Sequence, residues 1–101
     1  MDFQIATSAE ATEIRLLGRL TFDDHLKFND IKQLAEESVG GTVVFDLSGL
    51  DFIDSAGLGM LVIFEDLAST AKASVTIRGA RGIVRKLMDL VNFGEVIRLE
   101  D

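Results

Sequence analysis

Cysteine and proline are absent from the 101 residues, and histidine occurs once, at position 25. Without a thiol the chain has no disulfide framework, no thiolate zinc site and no cysteine nucleophile. One imidazole cannot supply a site that needs two. The lack of proline leaves glycine as the main local punctuation. No apolar run approaches the ~20 residues of a membrane span. Met1-Asp2-Phe3-Gln4 lacks the basic region and apolar core of a signal peptide, so a cytoplasmic protein is the expectation. Basic residues are also scarce: 10 Lys and Arg against 17 Asp and Glu leave a net charge of −7. That balance argues against nucleic acid or an anionic membrane as partner, since both are held by neutralising phosphates.

Hydrophobic residues make up 48% of the chain, which removes disorder from consideration and suits one domain spanning residues 1–101. Residues 3–8 and 12–19 read as short strands joined by a turn at Ala9-Glu10-Ala11. From Asp24 to about Ser38 the period becomes helical. Phe28, Ile31, Leu34, Ala35 and Val39 share one face, Asp23 or Asp24 is placed to cap the start, and Gly40-Gly41 ends it. Thr42 to Leu47 is a β-branched apolar run suited to a central parallel strand. Ser48 to Asp54 reads as a loop carrying two buried residues, Phe52 and Ile53. A helix from about Ala56 to Ala71 follows, then a strand at 74–78 broken by Gly79-Ala80. A third helix over 81–91 has Val84, Leu87, Met88 and Val91 on its apolar face, and the last strand is 95–99. The fold class is therefore α/β: a mostly parallel sheet of about five strands with an N-terminal antiparallel hairpin strand and three helices, in the order β-β-α-β-α-β-α-β. Ligands of such sheets gather at the C-terminal ends of the strands. That edge is expected to bring together residues 18–21, Asp46 to Ser55, and 78–81.

The stretch Asp54-Ser55-Ala56-Gly57-Leu58-Gly59 carries the most chemistry. Ser55 lies where loop becomes helix, so its hydroxyl is placed to accept from an orphan backbone N–H. A phosphate there would meet the same donors and the positive end of the helix dipole. A serine at this position is also commonly a cap and nothing more. Gly57 and Gly59 fall in the first helical turn, where each costs up to ~1 kcal/mol relative to Ala. A cap does not need them; close approach of a backbone or a phosphate does. Gly57, Met60, Leu61, Phe64, Leu67, Ala68 and Ala71 project as a core face, leaving Leu58, Val62 and Ile63 outside it. Those three are either core of a fully buried helix or an exposed apolar patch marking a protein interface.

The run from Val43 through Gly59, with its Asp54-Ser55-Ala56-Gly57 core, closely resembles the signature of the STAS family of anti-sigma factor antagonists, and Gly18-Arg19-Leu20 matches the end of the family's second strand. The resemblance implies a regulatory binding protein rather than an enzyme, with no cofactor and no metal site. It implies that Ser55 is phosphorylated by a serine kinase that is also the anti-sigma factor. The unphosphorylated form then binds that kinase and frees a sigma factor, and a phosphoserine phosphatase resets the switch. Asp54 would shape the loop or orient the hydroxyl, with Ala56, Gly57 and Gly59 supporting the phosphosite. Leu58, Val62 and Ile63, with Arg19, Thr21 and Asp23 at the end of the second strand, would bind the partner. Relatives often carry acidic residues where this chain has Arg19 and Thr21, a second serine where it has Ala56, and a terminal helix after the last strand. A phosphate adds roughly −1.5 to −2 charges to a serine expected to lie among Asp23, Asp46, Asp51 and Asp54.

Other constellations fare worse. Gly57-Leu58-Gly59 lacks the third glycine of a dinucleotide fingerprint, because position 62 is Val. The 46–54 stretch has Leu50 and Ile53 where a calcium loop needs oxygen ligands. Ser55 is not in a Gly-x-Ser-x-Gly elbow, and Arg98 stands where a receiver domain needs a lysine. Arg78, Arg81, Arg85 and Lys86 form the one basic cluster, either a contact for the phosphate or an acidic partner, or simply a solvated face. His25 is expected to be exposed, with no partner to make it a base. Two rivals stand beside the switch: a non-switching STAS subunit of a transport or signalling complex, with Ser55 only a cap, and a small enzyme with a polar pocket at the sheet edge.

Overall fold

The computed structural model describes residues 1–101. In chain order its elements are β1 (Asp2–Thr7), β2 (Thr12–Leu20), a 3₁₀ turn (Phe22–Asp24), α1 (His25–Glu37), β3 (Thr42–Ile53), α2 (Ser55–Thr70), β4 (Ser74–Arg78), α3 (Gly82–Leu90), a second 3₁₀ turn (Phe93–Glu95) and β5 (Arg98–Glu100). The sheet order is β1-β2-β3-β4-β5, with β1 antiparallel to β2 and every other pair parallel. Both the order of elements and the mixed sheet agree with the sequence pattern.

Alternation along the strands sends one set of side chains toward the helices. Ile14 pairs with Phe45, and Phe45 with Ile77; all three are fully buried. Phe45 is the centre of this layer. It stacks on Phe28 of α1 at 6.4 Å between ring centroids and meets Phe64 of α2 edge-on at 4.8 Å. Burying three phenyl rings in such geometry stabilises each contact by about 0.5–1.5 kcal/mol beyond the area removed from water. The other face of the sheet is polar. There Arg15 lies 3.4 Å from Asp46, and Arg78 lies 3.0 Å from Glu13 and 3.9 Å from Asp46.

The structure corrects several expectations. Residues 48–54 are not a loop: β3 runs through them to Ile53. Ser48-Gly49 and Asp51 look like turn residues, but two irregularities in the pairing with β2, between Arg15 and Leu17 and between Gly18 and Arg19, absorb them. Each leaves β3 one residue longer than its partner. Leu50 and Ile53 thereby stay on the buried face, while Phe52 is only half-buried. Val39 and Val91 lie just past the ends of α1 and α3 and are exposed rather than core. The last strand is shorter and later than 95–99, because residues 93–95 are taken up by the 3₁₀ turn. Asp24 occupies the N-cap position of α1 without capping it; its carboxylate turns back to accept the Thr21 N–H at 2.9 Å.

Candidate protein-docking site at the β3–α2 junction

β3 ends at Ile53 and α2 begins at Ser55, so a single residue makes the corner. That residue, Asp54, is the cap. Its Oδ1 accepts the Gly57 N–H at 2.7 Å, and its Oδ2 accepts the Phe22 N–H at 3.2 Å. One carboxylate therefore closes the first turn of α2 and ties it to the 3₁₀ turn after β2. The Asp54 N–H adds a third tie by donating to the Leu20 carbonyl at 3.2 Å. Ser55 is thus not the N-cap, contrary to expectation, but the first residue of the helix. It is exposed, and its hydroxyl makes no hydrogen bond within the chain. Of the two roles the resemblance implies for Asp54, the geometry here is that of shaping the corner; its carboxylate does not hold the Ser55 hydroxyl.

The two glycines differ. A Cβ at Gly57 would lie 2.4 Å from the Leu20 carbonyl oxygen and 2.7 Å from Ile53 Cγ1. Of the two close approaches that would explain a glycine here, a backbone or a phosphate, the chain itself supplies the backbone at Gly57, and this seats α2 directly on the end of β2. A Cβ at Gly59 would meet nothing within 4 Å. No group of this chain accounts for Gly59, which lies on the outward side of the helix.

Helical spacing from Ser55 passes through Leu58, Gly59, Val62, Ile63 and Asp66, one continuous stripe. Leu58 is half-buried against the core, while Val62 is 38% and Ile63 48% exposed. The patch is thus surface rather than core. Ala56 is half-buried beside it. At the head of the stripe stands Phe22, 63% exposed, stacked on the His25 ring at 5.0 Å and anchored to Asp54 through its N–H. Sequence reasoning missed Phe22. Its one signal is an aromatic side chain within the polar run Thr21-Phe22-Asp23-Asp24-His25.

Three other expected contributors separate. Asp23 is exposed on the 3₁₀ turn beside the junction, and Thr21 is half-buried with its N–H committed to Asp24. Arg19 lies across the sheet: it pairs with Phe52, and its guanidinium sits 4.6 Å above that ring on the polar face. Asp46 is not near Ser55 at all. The stretch from Asp46 to Ile53 spans five residues of β2, which puts Asp46 about 16 Å back from the end of β3. There burial pushes its carboxyl up, but the Ser48 hydroxyl and N–H and the Arg15 guanidinium outweigh that and hold it below the ordinary carboxylate value.

The basic cluster is also remote. β4 ends at Arg78, opposite Asp46, so the strand ends do not form one line. Arg81 Nε donates to the Ser48 carbonyl at 2.7 Å, and its guanidinium lies 3.8 Å from Asp51. Of the two readings left open for these residues, the phosphate contact gains no support: Arg78 is held by Glu13 and Asp46, and Arg81 by the Ser48 carbonyl and Asp51. Two clefts of about 530 and 460 Å³ follow α3 and β5; their walls include Arg85, Asp89 and Arg98 and none of the junction residues. No group of three or more acidic or histidine side chains is placed to hold a metal ion, and no helix is long and apolar enough to cross a membrane.

A family model described as "Mlab, STAS domain" matches residues 3–99. The chain is 32% identical over 97 residues to a STAS-domain containing protein of Pseudomonas aeruginosa (strain UCBPP-PA14), covering 91% of this chain and 92% of that one. Among solved structures it is similar to Thermotoga maritima TM1081, a candidate anti-sigma factor antagonist, with a TM-score of 0.86 at 17% identity over 98% of this chain and 86% of that one. It is also similar to the Bacillus cell-fate determinant SpoIIAA in its phosphorylated form, with a TM-score of 0.71 at 19% identity over 97% and 90% of the two chains.

Proposed function

Because the chain belongs to the STAS domain family, we propose that it is an anti-sigma factor antagonist whose docking surface is switched by phosphorylation of Ser55. The observation that carries this reading is the exposed, unbonded Ser55 hydroxyl at the head of the Leu58-Gly59-Val62-Ile63 stripe. The unphosphorylated form binds a kinase-type anti-sigma factor through the stripe and Phe22, releasing the sigma factor, and a phosphoserine phosphatase restores the bound form. Gly59 leaves room for the partner's backbone against the helix.

A phosphate on Ser55 leaves the fold in place, since the Ser55 and Ala56 N–H groups have no partner in the chain and suit an anion at a helix start. Its effect falls on the interface. Burying a dianion beside Asp54 in a chain of net −7 costs several kcal/mol, and each ~1.4 kcal/mol is tenfold in affinity. A loss of about a hundredfold to a thousandfold results without refolding. The test has two parts. Incubation with the anti-sigma kinase and ATP, then mass spectrometry, should place one phosphate on Ser55. Ser55→Glu should then lose binding that Ser55→Ala keeps. Equal binding by the two variants refutes the switch. If no phosphate is transferred and the partner is a transport subunit held permanently, the non-switching reading takes its place.

A further inference from the structure

We infer that the outer edge of β1 pairs with the same edge of a second copy of this chain, joining two sheets into one across a two-fold axis at Ile5. The hairpin fixes which groups face outward. The Ser8 N–H donates to the Ala11 carbonyl at 2.9 Å, and the β1–β2 register then runs from Thr7–Thr12 to Asp2–Leu17 without a bulge. Strand groups alternate in direction, so Ala6, Gln4 and Asp2 turn theirs toward β2 like Ser8. Those of Thr7, Ile5 and Phe3 point away from the sheet. The Met1 carbonyl, next in the outward series, is taken by Lys27 Nζ at 2.6 Å. Phe3, Ile5 and Thr7 remain as three outward pairs of donor and acceptor.

From Phe3 to Thr7 this edge lacks the features that normally keep a strand from pairing; Lys27, 3.3 Å from Asp2, guards only its first end. The strand has six residues, no proline, no lysine and no bulge, and its only charge is Asp2 at one end. The opposite edge, β5, is three residues long and carries Arg98 and Glu100 paired at 3.3 Å. An antiparallel partner centred on Ile5 sets Ile5 against Ile5, Phe3 against Thr7 and Asp2 against Ser8. All outward groups are then satisfied and no like charges meet. Ile5, 44% exposed in the single chain, would be covered. A second copy offers the same three outward pairs, brings Ile5 onto Ile5 and sets uncharged Ser8 against Asp2, which is why it is the occupant. The two-fold reverses the strands, so the two Ser55 junctions point to opposite ends and both stay accessible.

Sedimentation equilibrium from micromolar to sub-millimolar chain should show the mass rising from 11.0 kDa toward twice that value. Hydrogen exchange should show the Phe3, Ile5 and Thr7 amides slowed about tenfold or more at high concentration and released on dilution, with Gln4 and Ala6 protected throughout. The chain has no cysteine, so a single Ile5→Cys reports the axis. Facing residues of a bonded pair lie about 5.5 Å apart, within disulfide range; this variant should cross-link on oxidation, and Thr7→Cys should not. Ile5→Pro, which removes an outward N–H, and Ile5→Lys should both stay monomeric with unchanged circular dichroism. A mass fixed at 11.0 kDa across the range, cross-linking of Thr7→Cys in place of Ile5→Cys, or dimerisation of both Ile5 variants would overturn the assignment.

Discussion

Two Asp–Ser arrangements, one within β3 and one just past its end, have opposite fates. At Asp46 the carboxylate takes both the N–H and the hydroxyl of Ser48, at 2.9 and 2.7 Å, and adds Arg15. At Asp54 the carboxylate takes backbone N–H groups from Gly57 and Phe22 and leaves Ser55 alone. The first closes a polar network that is 6% exposed at Asp46; the second builds a corner and keeps a hydroxyl free. Sequence proximity of acid and serine is the same kind of signal in both. Spacing and the element on the C-terminal side decide between them: a continuing strand folds the Ser48 side chain back onto Asp46, while a helix start diverts Asp54 to the amides.

The contrast can be broken most forcefully at Gly57. Gly57→Ala forces a methyl into the Leu20 carbonyl, and overpacking of this kind should cost about 2–3 kcal/mol, read as a lower urea midpoint. An unchanged midpoint would mean that α2 is not seated on β2 as described.

At Asp46, replacement by Asn should cost about 1–2 kcal/mol at neutral pH by weakening the bonds to Ser48 and Arg15. Because the folded carboxyl titrates below the ordinary value of 3.8, its stabilisation is complete above that value and is lost as pH falls through the folded one. Thermal melts from pH 7 to 2 should therefore show the gap between the two proteins closing in acid, and partner binding should be unaffected. Asp24, where burial opposes but hydrogen bonds from Thr21 and the amino terminus prevail, titrates in the same sense and adds to the acid limb of both.

Asp54→Ala should lose about 1 kcal/mol, the usual worth of an N-cap. Unlike the Asp46 variant it should also weaken partner binding, because the Phe22 turn loses its anchor; calorimetric titration beside melting separates the two effects. The smallest change runs the other way. Gly59→Ala meets no neighbour and should raise stability by up to ~1 kcal/mol while lowering affinity for the partner. A variant that gained stability and bound normally would remove Gly59 from the interface.

The order of elements and the core faces of α1 and α2 were legible because period and punctuation agree there: Phe28, Ile31 and Ala35, or Met60, Leu61, Phe64 and Ala68, repeat as helices require. The second half of β3 was not, since its extra residues break the alternation a strand is recognised by. Ser55 and its stripe could be located from spacing alone. The roles of Asp54 and Phe22 could not, because their bond joins residues 32 positions apart. The alignment of the strand ends was illegible for a related reason: nothing in Arg78 and Arg81 reveals that β4 stops opposite Asp46, well short of where β3 ends.

That unequal strand length has a bearing on size exclusion. Where β3 outruns β4, the junction becomes a headland rather than the floor of a bay. On the proposed reading, a folded kinase domain, not merely a flexible tail or a small solute, would close its cleft around the serine. Shortening β3 would sink the hydroxyl behind its neighbours and bar bulky visitors while leaving its chemistry intact.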